Sequence, residues 1–264
     1  MVRVAVVGYG HLGQYLVSSI TDHPSMELAW VWNRSAVSYL LCNIYNIYTI
    51  YNIYIRSQQA LQGKVDSSLV LEDLSECDRN SPDIIVEVAH PDITRCGAPV
   101  LRGDSHEFLR RKFGPKFLAV ADYMIGSPTA LADRELQASL EAAATKHGLY
   151  VPSGALWGAE DIRKMAERGS LASLTVTMRK HPDSFKLEGG LRDLNAGVGA
   201  EAVELYHGPV RGLCPLAPNN VNTMAAAAVA ASNLGFDGTM GRLVSDPSIP
   251  NWHVVEVRHV TRDT

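Results

Sequence analysis

The sequence predicts an α/β fold, with an N-terminal doubly wound parallel sheet followed by a smaller α+β domain. Three observations lead there. Apolar strand-like runs alternate with helical patterns through the first half, a glycine-rich turn joins the first strand to the first helix, and the pattern changes after Gly154. A chain of 264 residues is long enough for one large domain or two modest ones. With 46% hydrophobic and 20% charged residues it sits near the globular average, which excludes disordered and fibrous classes.

The elements follow in order. Residues 3–7 form an apolar, β-branched run suited to a buried parallel strand. After the turn, Leu12, Tyr15, Leu16 and Ile20 recur at helical spacing, and His23-Pro24 ends that helix. Residues 27–32 predict the second strand, 83–89 the third, 117–120 the fourth and 149–152 the fifth, with an amphipathic helix over 131–146. Beyond Gly154, residues 159–168 predict a helix stopped by Gly169. Residues 174–178, 202–206 and 254–257 predict strands, 189–199 a flexible loop, and 221–233 an alanine-rich helix that can pack closely on a sheet. This divides the chain into a dinucleotide-binding domain over 1–152 and a substrate-binding, catalytic α+β domain over 153–264.

Charge and composition narrow the function. A formal net charge of −4 gives no broad basic field for nucleic acid or anionic lipid. No apolar run approaches the roughly 18 residues that cross a bilayer, and the opening residues do not read as a signal peptide. A soluble cytoplasmic protein is expected. Cys42, Cys77, Cys96 and Cys214 lack C-x-x-C or zinc-ligand spacing, so they read as ordinary thiols and no metal is expected. Between residues 39 and 59, Asn-Ile-Tyr units and a Thr-Ile-Tyr unit recur with a period of three, which fits neither helix nor strand. This segment reads as an insertion in a surface loop.

Gly8, Gly10 and Gly13 carry the spacing G-x-G-x-x-G between a predicted strand and a predicted helix. In that setting the first glycine permits the tight turn. The second leaves room for a pyrophosphate, and the third lets helix and strand pack closely. His11 and Leu12 lie at the helix N-terminus, where free N–H groups and a partial positive charge favour phosphate. These residues predict a Rossmann domain that binds NAD or NADP. The second strand ends at Asn33, not at the acidic residue that takes the ribose hydroxyls of NAD. Asn33 removes a repulsion against a 2′-phosphate and Arg34 can pair with one, so acceptance of NADP is expected.

Several linked segments go further. They are Glu87-Val88-Ala89-His90-Pro91, Gly126-Ser127-Pro128-Thr129-Ala130-Leu131, the stretch from Gly154 through Ile162, the stretch from Pro218 through Ala226, and Asn251-Trp252-His253. In this order they resemble the L-aspartate dehydrogenase family, most closely its animal members. The likeness spans nearly the whole chain, apart from 39–59, a stretch around 103–116 and the C-terminal end. It implies NAD(P)-dependent oxidative deamination of L-aspartate to oxaloacetate and ammonia through iminoaspartate, a product that can feed NAD biosynthesis. It also implies a homodimer. By motif, Ala155 and Asn222 match contacts to the nicotinamide cofactor and His253 matches the active-site histidine. Family sequences continue beyond the strand after His253, so a closing segment is expected to be missing from this chain.

The chemistry of the residues agrees in outline. A group must take a proton from the amine or from attacking water, and histidine titrates near neutral pH. Asn222 also reads as a helix N-cap. His90 lies at the carboxyl end of a strand, where ligands bind in such sheets. Lys180, His181, Lys186 and Arg211 are the candidates to hold a dicarboxylate, with none assigned. Two competing readings are a non-catalytic NAD(P)-binding sensor or partner module and an imine reductase of the dihydrodipicolinate type. The latter uses a paired-histidine motif that this chain lacks.

Overall fold

The computed structural model describes residues 1–33, 61, 63–95, 113–250 and 252–262. Arg34, the tyrosine-rich repeat, Cys42 and Cys96 lie outside the described residues. The chain forms two compact units. The first comprises Met1–Ser127 with Ala138–Tyr150, and the second Pro128–Gln137 with Val151–Thr264.

In the first unit, β1 (Val2–Val7) leads through the glycine turn into α1 (His11–Thr21), and β2 (Met26–Trp32) follows. Then come β3 (Ile84–Glu87), α2 (Pro91–Arg95), α3 (Phe113–Val120) and β4 (Asp122–Ile125). The helix α4 (Arg134–Ala143) has residues up to Gln137 assigned to the second unit and residues from Ala138 assigned to the first, and β5 (Leu149–Tyr150) completes the sheet. Among the described residues these strands pair in the order β2-β1-β3-β4-β5, all parallel. This is the doubly wound arrangement the sequence predicts. The order reverses between β1 and β3, and ligands bind beyond the carboxyl ends of the strands at such a reversal. Val4, Val6, Tyr9, Val17, Ile20, Val31 and Leu61 form a core cluster on this sheet. Helix α1 buries Gly13, Val17 and Ile20, whereas Leu12 and Tyr15 face outward. The apolar stripe read from the sequence is thus rotated by about one residue.

Residues 117–120 are helical, not a strand. Four apolar residues cannot distinguish the two periods. What decides is Phe113 one turn earlier, whose ring stacks on Phe117 with centroids 5.8 Å apart. Phe117 then meets Tyr123 of β4 edge-on at 5.2 Å.

The second unit contains α5 (Ala159–Glu167), β6 (Leu171–Lys180), α6 (Gly189–Ala196), β7 (Val203–Pro209) and α7 (Val210–Leu213). It continues with α8 (Asn222–Ala230), α9 (Gly235–Gly238), β8 (Thr239–Ser245) and β9 (His253–Thr261). Its sheet has the order β7-β8-β6-β9, with β6 and β8 parallel and the outer pairings antiparallel. Ala225, Ala226, Ala227 and Ala228 of α8 are buried, as close packing requires. Residues 189–196 are helical where a flexible loop is expected. The glycines lie at the ends, the Leu-Arg-Asp-Leu-Asn-Ala stretch between them favours helix, and Leu191 is buried. Strand β8 has no counterpart in the sequence prediction, because Gly241 and Arg242 interrupt its apolar run. Among the described residues no helix is long and apolar enough to cross a membrane. Cys77 and Cys214 are buried.

Candidate active site

In the first unit, backbone geometry builds the glycine turn. The Gly8 N–H donates to the Trp32 carbonyl at 2.7 Å, and the Val88 N–H to the Val7 carbonyl at 2.8 Å, so the turn is tied to both neighbouring strands. Gly8 adopts φ +115°, and a Cβ there would lie 2.9 Å from the Ala89 nitrogen in the loop after β3. At Gly13 a Cβ would fall 2.0 Å from the Gly8 carbonyl oxygen. At Gly10 it would meet nothing within 4 Å. Two glycines are therefore demanded by the fold itself, while the middle one faces open space.

Gly10 is the N-cap of α1, with no side-chain cap and no acidic residue in the first turn. Gly10, His11 and Leu12 are exposed, so the N–H groups of the first turn are left for an anion. Asn33 lies beside them, its Oδ1 accepting the Tyr9 N–H at 3.1 Å.

Glu87 had no assigned role in the sequence, although an acid inside a buried apolar run was a visible signal. It ends β3 with no exposed surface. Its Oε1 accepts the N–H groups of Ala89 at 2.7 Å and His90 at 2.8 Å, and the Ser127 hydroxyl at 3.2 Å. Its Oε2 accepts the Ser127 N–H at 3.1 Å. One carboxyl thus pins the loops after β3 and β4. Burial outweighs these donors and pushes its pKa up to about 7. His90 is buried next to it, with Nδ1 3.1 Å from Asp92 Oδ2.

In the second unit, the candidate groups are side chains. Ala155 is exposed in a turn just after Gly154, which adopts φ +56°. Asn222 is the first residue of α8 and not its N-cap, since Val221 holds that position. Its Oδ1 is buried with no partner; among the described residues only Thr239 Oγ1 shares that condition. His253 opens β9 and is exposed. The antiparallel register sets it directly opposite Lys180, the last residue of β6, and the parallel register sets Lys180 beside Ser245, the last of β8. Ser245 is buried, and its hydroxyl donates to Asn195 Oδ1 at 2.7 Å.

Of the other candidate cations, Arg211 and His181 are engaged elsewhere. Arg211 makes a two-pronged pair with Asp237 at 2.8 and 3.0 Å and also donates to the Ala132 carbonyl. His181 caps a short 3₁₀ turn and lies 3.5 Å from Asp183. Lys186 is exposed, with its carbonyl taken by Asn220. Sequence spacing carries no trace of the Lys180–His253–Ser245 row, which only the strand register creates.

Residues 161–262 match the family described as aspartate dehydrogenase, C-terminal. The chain is 52% identical to an aspartate dehydrogenase domain-containing protein of Xenopus tropicalis, over 97% of this chain and 78% of that protein. This chain belongs to the aspartate dehydrogenase family. An L-aspartate dehydrogenase of Methanosarcina mazei is 36% identical over about half of each chain, 51% and 50%. The fold is that of the aspartate dehydrogenase of Thermotoga maritima, with TM-score 0.65 and 16% identity over 99% of this chain and 85% of that one. The family is an oxidoreductase family built on an NAD-binding fold. In the first unit the residues present fit a pyrophosphate, with space over Gly10 and an uncapped α1 N-terminus. The unpartnered Asn222 Oδ1 suits an amide or hydroxyl donor.

Proposed function

We propose that the chain catalyses NAD(P)-dependent oxidation of L-aspartate and water to oxaloacetate and ammonia, through iminoaspartate. The cofactor, when bound, accepts a hydride from the substrate. The turn of Gly8, Gly10, His11, Leu12 and Gly13 holds its pyrophosphate, Asn33 and Arg34 take its adenosine ribose, and Ala155 and Asn222 are assigned to its nicotinamide end. With no carboxylate at the end of β2, a 2′-phosphate meets no repulsion and NADP is accepted beside NAD.

His253 takes the proton that must leave the substrate amine or the attacking water. A strand end is a rigid support for such a group. The observation that carries this reading is the position of His253 at the head of β9, inside the matched C-terminal region and opposite an ammonium group.

Reduced-cofactor absorbance with L-aspartate and either NAD+ or NADP+ tests the proposal. His253→Ala is expected to lower kcat by roughly 10²- to 10⁴-fold. Cofactor affinity stays within about twofold, because His253 is exposed and its replacement leaves the sheet intact. Turnover that persists in the variant removes the catalytic role. Cofactor binding without turnover in the wild type favours a sensor.

A further inference from the structure

The row at the end of the second sheet holds a cation with no counter-ion among the described residues. Along β6, Leu174, Val176 and Met178 are buried at alternate positions, and Lys180 continues that row at the strand end. Its Nζ lies 5.9 Å from the centre of the Phe185 ring. Among the described residues no carboxylate lies within ion-pairing distance of it. The nearby acids are committed: Asp246 pairs with Arg179 at 3.0 Å, and Asp183 faces His181. Burial lowers the Lys180 pKa, the sign of an ammonium short of both water and a counter-ion.

Directly opposed residues of an antiparallel pair present their side chains on one face. Lys180 and His253 therefore share a face, at the same end as Ser245. We propose that Lys180 binds a carboxylate of the substrate beside His253, and so selects acidic amino acids over neutral ones. This rests on the reading of an aspartate-oxidising site at His253. It adds the recognition element that the reaction alone does not name: a fixed ammonium answering an anionic group that L-aspartate carries and a neutral amino acid lacks. An unpaired cation held partly out of water is costly in the empty protein, and an arriving carboxylate removes that cost. Arg211, the other cation with strong geometry, cannot serve without breaking its pair with Asp237.

The test uses the full chain and the variants Lys180→Met and Lys180→Arg. Succinate, a dicarboxylate that cannot be oxidised here, is titrated calorimetrically and as an inhibitor, and KM and kcat are measured with L-aspartate. Lys180→Met is expected to weaken succinate binding and raise KM for L-aspartate by roughly 10- to 100-fold. KM for the cofactor should not move, and kcat should fall less than KM rises. Lys180→Arg should recover part of the affinity, and melting curves confirm that both variants fold. Unchanged succinate affinity and KM in Lys180→Met overturn the proposal while leaving His253 untouched. Lysine-dependent succinate binding in a wild type that does not oxidise L-aspartate upholds the subsite and refutes the assigned reaction. A wild type that neither binds succinate nor turns over L-aspartate removes both.

Discussion

The two sheets solve different problems by different means. In the parallel sheet, the candidate features are backbone: a glycine turn, the first N–H groups of α1, and loop amides gathered on the Glu87 carboxyl. In the mixed sheet the candidate features are side chains, with Asn222 at a helix start and Lys180, Ser245 and His253 in one register row. A backbone site is local and is limited by space. A side-chain site is assembled from distant residues and is limited by strand pairing and by uncompensated polar groups. The two regions should therefore fail differently when substituted.

The largest effect is expected at the glycine turn, where two neighbouring glycines should separate stability from binding. Gly13→Ala places a methyl group 2.0 Å from the Gly8 carbonyl oxygen, so the turn must open. A loss of at least about 1–3 kcal/mol is expected from such overpacking. Cofactor affinity should fall by on the order of 100-fold or more, about 3 kcal/mol. Gly10 already has φ −73°, and its added methyl meets nothing within 4 Å. Gly10→Ala should leave stability within about 0.5 kcal/mol, yet weaken the cofactor about tenfold by crowding the pyrophosphate. Denaturant melts paired with NADH and NADPH fluorescence titrations read both quantities. Equal destabilisation by the two substitutions breaks the distinction.

A second test concerns Glu87, the side chain on which the backbone site depends. Its pKa is pushed from an ordinary 4.5 to about 7 by burial, so the folded state holds the proton more tightly than the unfolded chain. The stability linked to that proton is complete below about pH 4.5, declines as pH rises, and is lost once pH passes about 7. Glu87→Gln removes this slope. It also turns an amide NH₂ toward the Ser127 N–H that Oε2 now accepts, at a cost of about 1–3 kcal/mol for the orphaned donor. Subtracting the variant's urea stability from that of the wild type, between pH 4.5 and 8, isolates the group. A difference that does not change across this range means that the donors, not burial, control the carboxyl.

The same contrast explains what could be read from the sequence. The parallel sheet was legible because each strand is a short apolar run and the turn is a local spacing of Gly8, Gly10 and Gly13. The error at 117–120 arose where four apolar residues carry no period and Phe113 decides the outcome. In the mixed sheet, the strand containing Gly241 and Arg242 gave too weak a pattern to predict, and it is this strand that places Ser245 beside Lys180. Individual residues such as His253 and Asn222 could be singled out through the family resemblance. Their surroundings could not, because whether Asn222 caps α8 or leaves its Oδ1 unpaired depends on a one-residue shift of the helix start.

That shift yields the smallest and most discriminating effect. A buried acceptor without a donor costs the folded protein about 1–3 kcal/mol, whereas Ala at the first helical position costs nothing of the kind. Asn222→Ala is therefore expected to raise stability by about 1 kcal/mol. The same change should weaken NAD(P)H about 5- to 10-fold, as the loss of one ordinary hydrogen bond does. Gain in one quantity with loss in the other is the mark of a group kept unsatisfied for a ligand, and a structural asparagine would lose stability and leave affinity alone. The outcome at Gly10, where affinity also falls but stability stays level, shows why both measurements are needed. Open backbone space carries no energetic cost in the empty protein, but an unpaired buried oxygen does.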